Sequence, residues 1–210
     1  MGEKIRLNIT TQKTILDNIS SDEKVVININ QNEKIQYVIF ALGNFNKDIS
    51  FNLKGENAQL EIIGICLLEK NQTANIKTAQ HHQTKSSNST NTIKTILNDS
   101  AIFNFEGLIK IDKKAGQTNA FLTQNTLNLS QDSINHSVPS LEINADEVKA
   151  SHSATTTFID DQSLYYLKSR GINQKEGENL ITKGFIQTVI DKIEDAEIKK
   201  EVEEKVEKYF

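Results

Sequence analysis

The sequence predicts a mainly β chain whose short strands stack as a solenoid from about residue 4 to 159, followed by three helices in residues 160–210. Three observations predict it. Apolar residues alternate with polar ones along most of the chain, the period of a half-buried strand. One strand-like segment repeats further along. Between Leu141 and Gly171 the apolar spacing changes from two residues to three and four, which marks a passage from strand to helix.

The elements follow in order. Ile5, Leu7 and Ile9 alternate with polar neighbours, as do Val25, Ile27 and Ile29, then Ile35, Tyr37 and Ile39. Ile49, Phe51 and Leu53 continue the pattern, then Leu60 and Ile62. Asn, Asp, Lys and Gly occupy the gaps, where turns need them. Glu56–Gly64 can be laid on Asp99–Gly107: acid on acid, Ala58 on Ala101, Leu60 on Phe103, Ile62 on Phe105. Cys66 then falls on Ile109 and Leu68 on Ile111. Strands recurring in this way suit stacked rungs, each with too little core of its own. A β-sandwich also has many short strands and is the competing architecture.

Gln80–Asn91, with His81 and His82 in a Ser/Thr/Asn run, is the most polar stretch. It reads as a loop or a thin polar rung, and a solvated loop is preferred. Two histidines with no Cys or carboxylate at ligand spacing do not make a metal site.

Asp160 is placed to N-cap a helix ending at Arg170, with Gly171 as its stop. Asn173 and Glu176 form a capping-box pair for a second helix, which is expected to bury Leu180, Ile181, Phe185, Ile186, Val189 and Ile190. A third, about Asp195 to Lys208, has an apolar stripe of Ile198, Val202, Val206, Tyr209 and Phe210 opposite a solvated Glu/Lys face.

Composition narrows the function. Length 210 suits one domain with an appendage. The net charge is −4 and the basic residues are scattered, so no nucleic-acid footprint is present. No apolar run approaches the ~20 residues of a membrane span, and the first residues lack the apolar core of a secretion signal. A single cysteine, Cys66, among apolar neighbours reads as a buried, inert thiol in a cytoplasmic protein. No nucleophile elbow, zinc-protease motif or phosphate loop occurs.

The pattern Leu141-Glu142-Ile143, Ala145-Asp146-Glu147-Val148-Lys149, Ser151-His152-x-Ala154-Thr155, then Ile159-Asp160-Asp161-x-x-Leu164-Tyr165-Tyr166-Leu167-x-Ser169-Arg170-Gly171-Ile172 resembles the C-terminal signature of the SufB/SufD proteins, scaffold subunits of an iron–sulfur cluster assembly machine. The resemblance covers roughly residues 79 to 190. It takes in Asp99-Ser100-Ala101, Phe105-Glu106-Gly107 and Val138-Pro139-Ser140 as well. It implies a right-handed parallel β-helix and a non-enzymatic scaffold role. It also implies pairing with a SufB-like subunit or with itself through residues 130 to 153, and docking of a SufC-like ABC ATPase on residues 160 to 190. Tyr165, Tyr166 and Phe185 are the candidate anchors for that ATPase.

The departures point towards SufD. Aligned on Pro139, Ser133 stands where SufB-type members carry a cysteine. Ser153 stands where they have Glu after the histidine, and Ala150 where SufD-type members often have cysteine. The N-terminal helical extension of typical members is not expected in this chain.

His152 is the main site candidate. Its residues alone suit a hydrogen-bonded histidine at the strand-to-helix junction. The resemblance implies instead a ligand for iron or cluster near the partner subunit, a task that suits a neutral imidazole. His136, where SufB-type members carry a histidine at about this place, is a weaker candidate ligand; its residues alone suit an exposed edge histidine. One buried thiol cannot hold a cluster, so any iron–sulfur cluster is transient and shared with the partner. A structural solenoid without cluster chemistry is the alternative, which Ser133 and Ser153 favour. A polysaccharide-active β-helix enzyme is a more distant one.

Overall fold

The computed structural model describes residues 5–8, 12–19 and 22–210; Ile9, assigned to the first strand from sequence, lies outside them. Twelve strands follow one another: β1 Ile5–Asn8, β2 Lys13–Ile19, β3 Glu23–Ile29, β4 Lys34–Leu42, β5 Phe45–Leu53, β6 Gln59–Leu68, β7 Thr73–His82, β8 Asn88–Leu97, β9 Ile102–Ile111, β10 Thr118–Asn128, β11 Ile134–Ile143 and β12 Val148–Phe158. Odd strands form one sheet in chain order and even strands form the other. Every pairing is parallel. The chain therefore crosses from sheet to sheet at each turn and returns one rung higher: a parallel β-solenoid. A sandwich of antiparallel sheets does not occur.

The turns explain how a chain with one proline and few glycines makes so many corners. Asn32, Asn57, Ser86 and Gln117 all have φ near +58°. Each precedes a buried residue (Glu33, Ala58, Ser87, Thr118) that enters the even sheet. The left-handed region is costly for most L-residues and least so for Asn and Asp. Stacked corners also bond to one another: Asn57 Nδ2 donates to Asn32 Oδ1 at 3.1 Å and Ser86 Oγ to Gln117 Oε1 at 3.2 Å. Gly55 is required where two turns touch, since a Cβ there would lie 1.9 Å from Gln31 N.

Between the sheets lies the main core, with Ile27, Ile49, Phe51, Ile62, Phe103, Phe105 and Ile109 fully or almost fully buried. Each such side chain contributes about 1.5–3 kcal/mol relative to exposure. The alternation seen in the sequence selects these inward positions.

In-register parallel stacking places each outward residue on its counterpart, so like charges would repel. The odd sheet avoids this with Lys24, Asp48, Lys77 and Glu106 in one column. Lys24 pairs with Asp48 at 2.8 Å and Lys77 with Glu106 at 2.8 Å. A neighbouring column is an amide ladder. Asn46 Nδ2 donates to Asp22 Oδ2 at 3.1 Å, Asn75 donates to Asn46, and Asn104 Nδ2 to Asn75 Oδ1 at 2.8 Å.

Three sequence expectations are corrected. The repeat does not place Glu56–Gly64 beneath Asp99–Gly107, because β6 belongs to the even sheet and β9 to the odd one. The similarity is that of one corner plus strand, used in both sheets. True rung neighbours are Gln59 and Asn88, then Asn88 and Asn119. Secondly, Gln80–Asn91 is not a solvated loop. It forms the end of β7, a tight turn and the start of β8, and its inward residues Gln80, His82, Ser87, Ser89 and Asn91 are buried. His82 bonds Ser87 and Ser89, Gln80 bonds Ser89 and Asn91 bonds Thr78, which lets a polar rung form between apolar ones, with Gln80 Oε1 and Asn91 Oδ1 left without a partner among the described residues. Thirdly, β2 carries no clean alternation and goes unrecognised in the sequence; its pairing with β4 makes it a strand.

The helices are α1 Asp161–Ser169, α2 Gln174–Ile190 and α3 Ala196–Tyr209. Asp160, Asn173 and Asp195 N-cap them, with the expected capping box at Asn173 and Glu176. Gly171 has φ +86°. α2 and α3 lie on the outer face of the even sheet, where Val38, Phe40, Ile63, Ile65, Leu67 and Ile96 meet Ile186, Val189, Ile190, Val202 and Val206. Polar ties fix them. Gln36 Nε2 donates to Lys192 O at 2.9 Å and its Oε1 accepts from Glu194 N at 2.9 Å. Leu180, expected to be buried, is 54% exposed, because it stands off the stripe of Thr182, Ile186, Val189 and Ile190 that is buried on α2.

Candidate functional site

The site is built on the last turn of the solenoid. β11 pairs with β9 and β12 with β10, and each is the outermost strand of its sheet. Register fixes which side chains face inward. In β12 these are Val148, Ala150, His152, Ala154, Thr156 and Phe158, stacked on the inward residues of β10. In β11, Asn135 and Ser137 stack on Phe103 and Phe105, and Leu141 and Ile143 on Ile109 and Ile111. Asn135 Nδ2 donates to Thr156 Oγ1 at 2.9 Å across the interior. In lower turns such residues are covered by the next rung. Here Leu141, Ile143 and Phe158 remain 36%, 41% and 50% exposed.

His152 therefore points inward on the outermost strand, above Leu122, and is exposed because no rung among the described residues covers it. His136 faces outward from the odd sheet, above Asn104 at the end of the amide ladder. The two histidines occupy opposite sheets and point to different sides, so the fold does not bring them together as ligands. Ser133 is buried and its hydroxyl donates to Ser130 O at 2.8 Å. Ser153 faces outward with Oγ 3.4 Å from Thr123 Oγ1. Ala150 is inward, packed against the core. Among the described residues no group of three or more His, Cys, Asp or Glu is placed to hold a metal ion. The described residues alone therefore do not form a complete metal site.

Cys66 is fully buried, and burial pushes its thiol up to about 12, so it is inert in the folded chain. His82 is fully buried with Nδ1 2.7 Å from Ser87 Oγ and Nε2 2.7 Å from Ser89 Oγ. His81 sits on the outer face, with Nε2 3.0 Å from Asp112 Oδ1.

The helical candidates separate into two environments. Tyr165 and Tyr166 are 75% and 56% exposed on α1. Tyr166 and Leu180 border a groove of about 460 Å³ between α1 and α2, lined also by Asp160, Leu167 and Ile181. Leu164 and Leu167 close over Gly177, where an added Cβ would be in van der Waals contact with them at 3.4–3.7 Å. Phe185 is half-buried against the even sheet, with Lys94 Nζ 4.0 Å from its ring centroid and donating to its carbonyl at 2.6 Å.

Sequence reasoning missed Asn135, Ser137 and Thr156. Their inward direction follows from register, and a polar residue at one end of an otherwise apolar column is invisible until the columns are known.

Comparison with known proteins completes the description. Residues 1–185 match the family described as SUF system FeS cluster assembly, SufBD core domain. The chain is 34% identical over 165 residues to the iron-sulfur cluster assembly protein SufD of Escherichia coli, covering 78% of this chain and 39% of that protein. It is 31% identical over 157 residues to SufD of Bacillus subtilis, covering 75% and 36%. To SufB of Bacillus subtilis it is 28% identical over 135 residues, covering 64% and 29%. The matched region thus spans well under half of these relatives. No helix among the described residues is long and apolar enough to cross a membrane. The match along residues 1–185, on a chain folded as a parallel solenoid, places it in the SufBD core family of SUF-system iron–sulfur cluster assembly proteins, closer to SufD than to SufB.

Proposed function

We propose that the chain is a non-catalytic scaffold subunit of SUF-type cluster assembly, pairing through its last turn with a SufB-like subunit or a second copy of itself. The observation that carries this reading is His152: an imidazole held inward on the outermost strand of its sheet, where the described residues form no metal-binding group of three or more His, Cys, Asp or Glu. Such a group is half of a site. A neutral imidazole binds iron, and the remaining ligands come from the chain that closes the end. The iron–sulfur cluster is then cargo, held briefly between two subunits. The edges of β11 and β12, with unpaired backbone groups and exposed Leu141, Ile143 and Phe158, suit such closure.

Residues 1–159 serve in this reading as the scaffold and residues 160–210 as the partner-binding region. Tyr165 and Tyr166, exposed beside the α1–α2 groove, are the anchors for a SufC-like ABC ATPase. Phe185 supports them from behind by fixing α2 to the solenoid. Ser133 and Ser153 favour a second reading, in which fold and pairing remain and cluster chemistry is lost.

One experiment separates these. The chain is purified anaerobically with a SufB-like subunit and the ATPase, loaded with iron and sulfide, and followed by ultraviolet–visible absorption. The scaffold reading expects co-purification, and a cluster spectrum that weakens in His152→Ala. An unchanged spectrum removes His152 as a ligand. Pairing without any cluster supports the second reading, and absence of both partners overturns the scaffold role.

A further inference from the structure

The first turns of the solenoid carry a charged cluster that the proposed function does not use. Lys47 points inward from β5, stacked between Glu23 of β3 and Ile76 of β7. Asp17 points inward from β2, beside Ile39 of β4. The two meet across the interior, 30 residues apart in sequence. Lys47 Nζ lies 3.2 Å from Asp17 Oδ1 and 2.9 Å from its Oδ2. Glu23 Oε2 is 2.7 Å from the same nitrogen, and Tyr37 donates to Asp17 Oδ2 at 2.5 Å. The Tyr37 ring is itself held edge-on against Phe51, with centroids 5.2 Å apart.

Exposure divides the roles. The side chains of Lys47 and Asp17 are 1% and 13% exposed, and that of Glu23 is 43% exposed. Enclosing a cation and an anion is costly even when they pair. Joining them as a neutral amide removes both charges from the interior and leaves Glu23 to be hydrated. A nitrogen close to both oxygens of a carboxylate stands opposite its carbon. The last side-chain torsion of an aspartate is soft, so a small rotation turns the face of that carbon to the amine. Groups held at about 3–3.5 Å react with effective concentrations of up to ~10⁵–10⁸ M, which separate amines and carboxylates in water never reach. Burial, and then the Asp17 charge, push the Tyr37 hydroxyl well above its ordinary value, so it remains a donor. It stands where negative charge develops on the carboxyl oxygen during attack.

We propose that Lys47 Nζ and Asp17 Cγ condense into an intramolecular isopeptide bond, with Glu23 carrying the protons and Tyr37 bonding the carboxyl oxygen. The N–C bond forms and one Cγ–O bond breaks. Of the three ammonium protons, one stays on the amide nitrogen. The other two pass through Glu23 to the departing Asp17 oxygen, which leaves as water. Nothing is oxidised or reduced, and no other reactant is consumed. The bond ties β2, the outermost strand of the even sheet, to β5 of the odd one. Only Ile19 of the seven residues in β2 is buried, so this strand has the least packing of its own to hold it. The bond stands apart from the scaffold reading and does not depend on it.

The test uses the full chain, folded and held at neutral pH before measurement. Its intact mass is expected to be one water short of the sequence mass. Trypsin should leave the chain uncut after Lys47 and release a branched peptide joining the segments around Asp17 and Lys47. Lys47→Arg keeps a positive charge between the carboxylates but replaces the amine. Glu23→Gln removes the proton carrier at a part-exposed position. Both variants should show the full sequence mass, with circular dichroism to confirm that they fold. If either fails to fold, the parent decides alone, because its branched peptide identifies both joined residues directly. A folded parent of full sequence mass overturns the proposal. So does a lost water that maps elsewhere, as a cyclised Asp or Asn would, or one that persists in Lys47→Arg. A branched peptide that still forms in Glu23→Gln overturns the part assigned to Glu23. Partner co-purification and the cluster spectrum judge the scaffold reading separately.

Discussion

Lowering the pH from 7 to 4.5 is expected to weaken this fold through one residue, His82. Its ring is fully enclosed between the sheets, with a serine hydroxyl 2.7 Å from each nitrogen. Burial, and to a lesser extent nearby His81, lowers its pKa from 6.5 to about 4. The folded chain therefore binds this proton less readily than the unfolded chain does. Its neutral form costs nothing above pH 6.5, and stability is lost as the pH falls from there through about 4. The full effect is about 3 kcal/mol, at about 1.4 kcal/mol for each tenfold change in proton affinity. That is a large share of the 5–15 kcal/mol or so that holds a typical domain together. Urea unfolding of the parent and of His82→Gln at several pH values isolates the effect, since exposed carboxylates titrate alike in both. Glutamine keeps a donor and an acceptor for the two serines but does not ionise. Between pH 7 and 4.5 the parent should lose about 2–3 kcal/mol more than the variant. If the two lose stability in parallel, the ring is not held neutral by its surroundings, and the account of this rung is wrong.

Other consequences are as direct. Gly107→Ala puts a Cβ 2.4 Å from Leu122 Cδ1 and 2.8 Å from the Phe105 ring; a loss of about 1–3 kcal/mol is expected in denaturant unfolding, and a neutral result would mean the interior yields there. Lys47, with a side chain 1% exposed, bonds Asp17 at 2.9 Å and Glu23 at 2.7 Å. Lys47→Met strands those carboxylates together with Tyr37, which donates to Asp17, and should lower stability by about 3 kcal/mol, read the same way. Cys66 should resist a thiol reagent in the native chain and react at the rate of global unfolding; fast native labelling would show that the interior opens locally.

Much of this fold is legible in the sequence, for identifiable reasons. Period-two alternation marks strands such as β3 and β5 because one face of each is buried and the other is not. The caps at Asp160, Asn173 and Asp195 are local chemistry, satisfied within four residues, and need no tertiary knowledge. What escapes is what depends on register. His82 and its neighbours look like a loop because polarity is read one strand at a time; only stacking shows that Gln80 Nε2 reaches Ser89 Oγ at 2.7 Å and Asn91 Nδ2 reaches Thr78 Oγ1 at 3.0 Å. The repeat misleads for the same reason, since corner-plus-strand units recur in both sheets. At the candidate site the motif marks His152. Its inward direction, and the opposite facing of His136, follow only from the strand pairs.

The last rung differs from the rungs below it on both faces at once. Outside, the alternating column Lys24, Asp48, Lys77, Glu106 ends on Val138, 61% exposed, and the amide ladder ends on His136. Inside, the columns of Phe103 and Phe105 end on Asn135 and Ser137. A solenoid that simply stops is expected to finish with a capping element whose outer face is polar. Helices that might have served as such a cap are present, yet α2 and α3 run back along the even sheet to meet β4, β6 and β8, as far as Gln36. Leu141, Ile143 and Phe158 are thereby left facing water beside neutral hydrogen-bonding groups and an imidazole. Mixed apolar and neutral polar groups around an unpaired strand edge are what a second chain can cover, and charges that would oppose it are few among the inward positions. The stacking rules of the lower rungs therefore break on both faces at the last rung, where His152 stands.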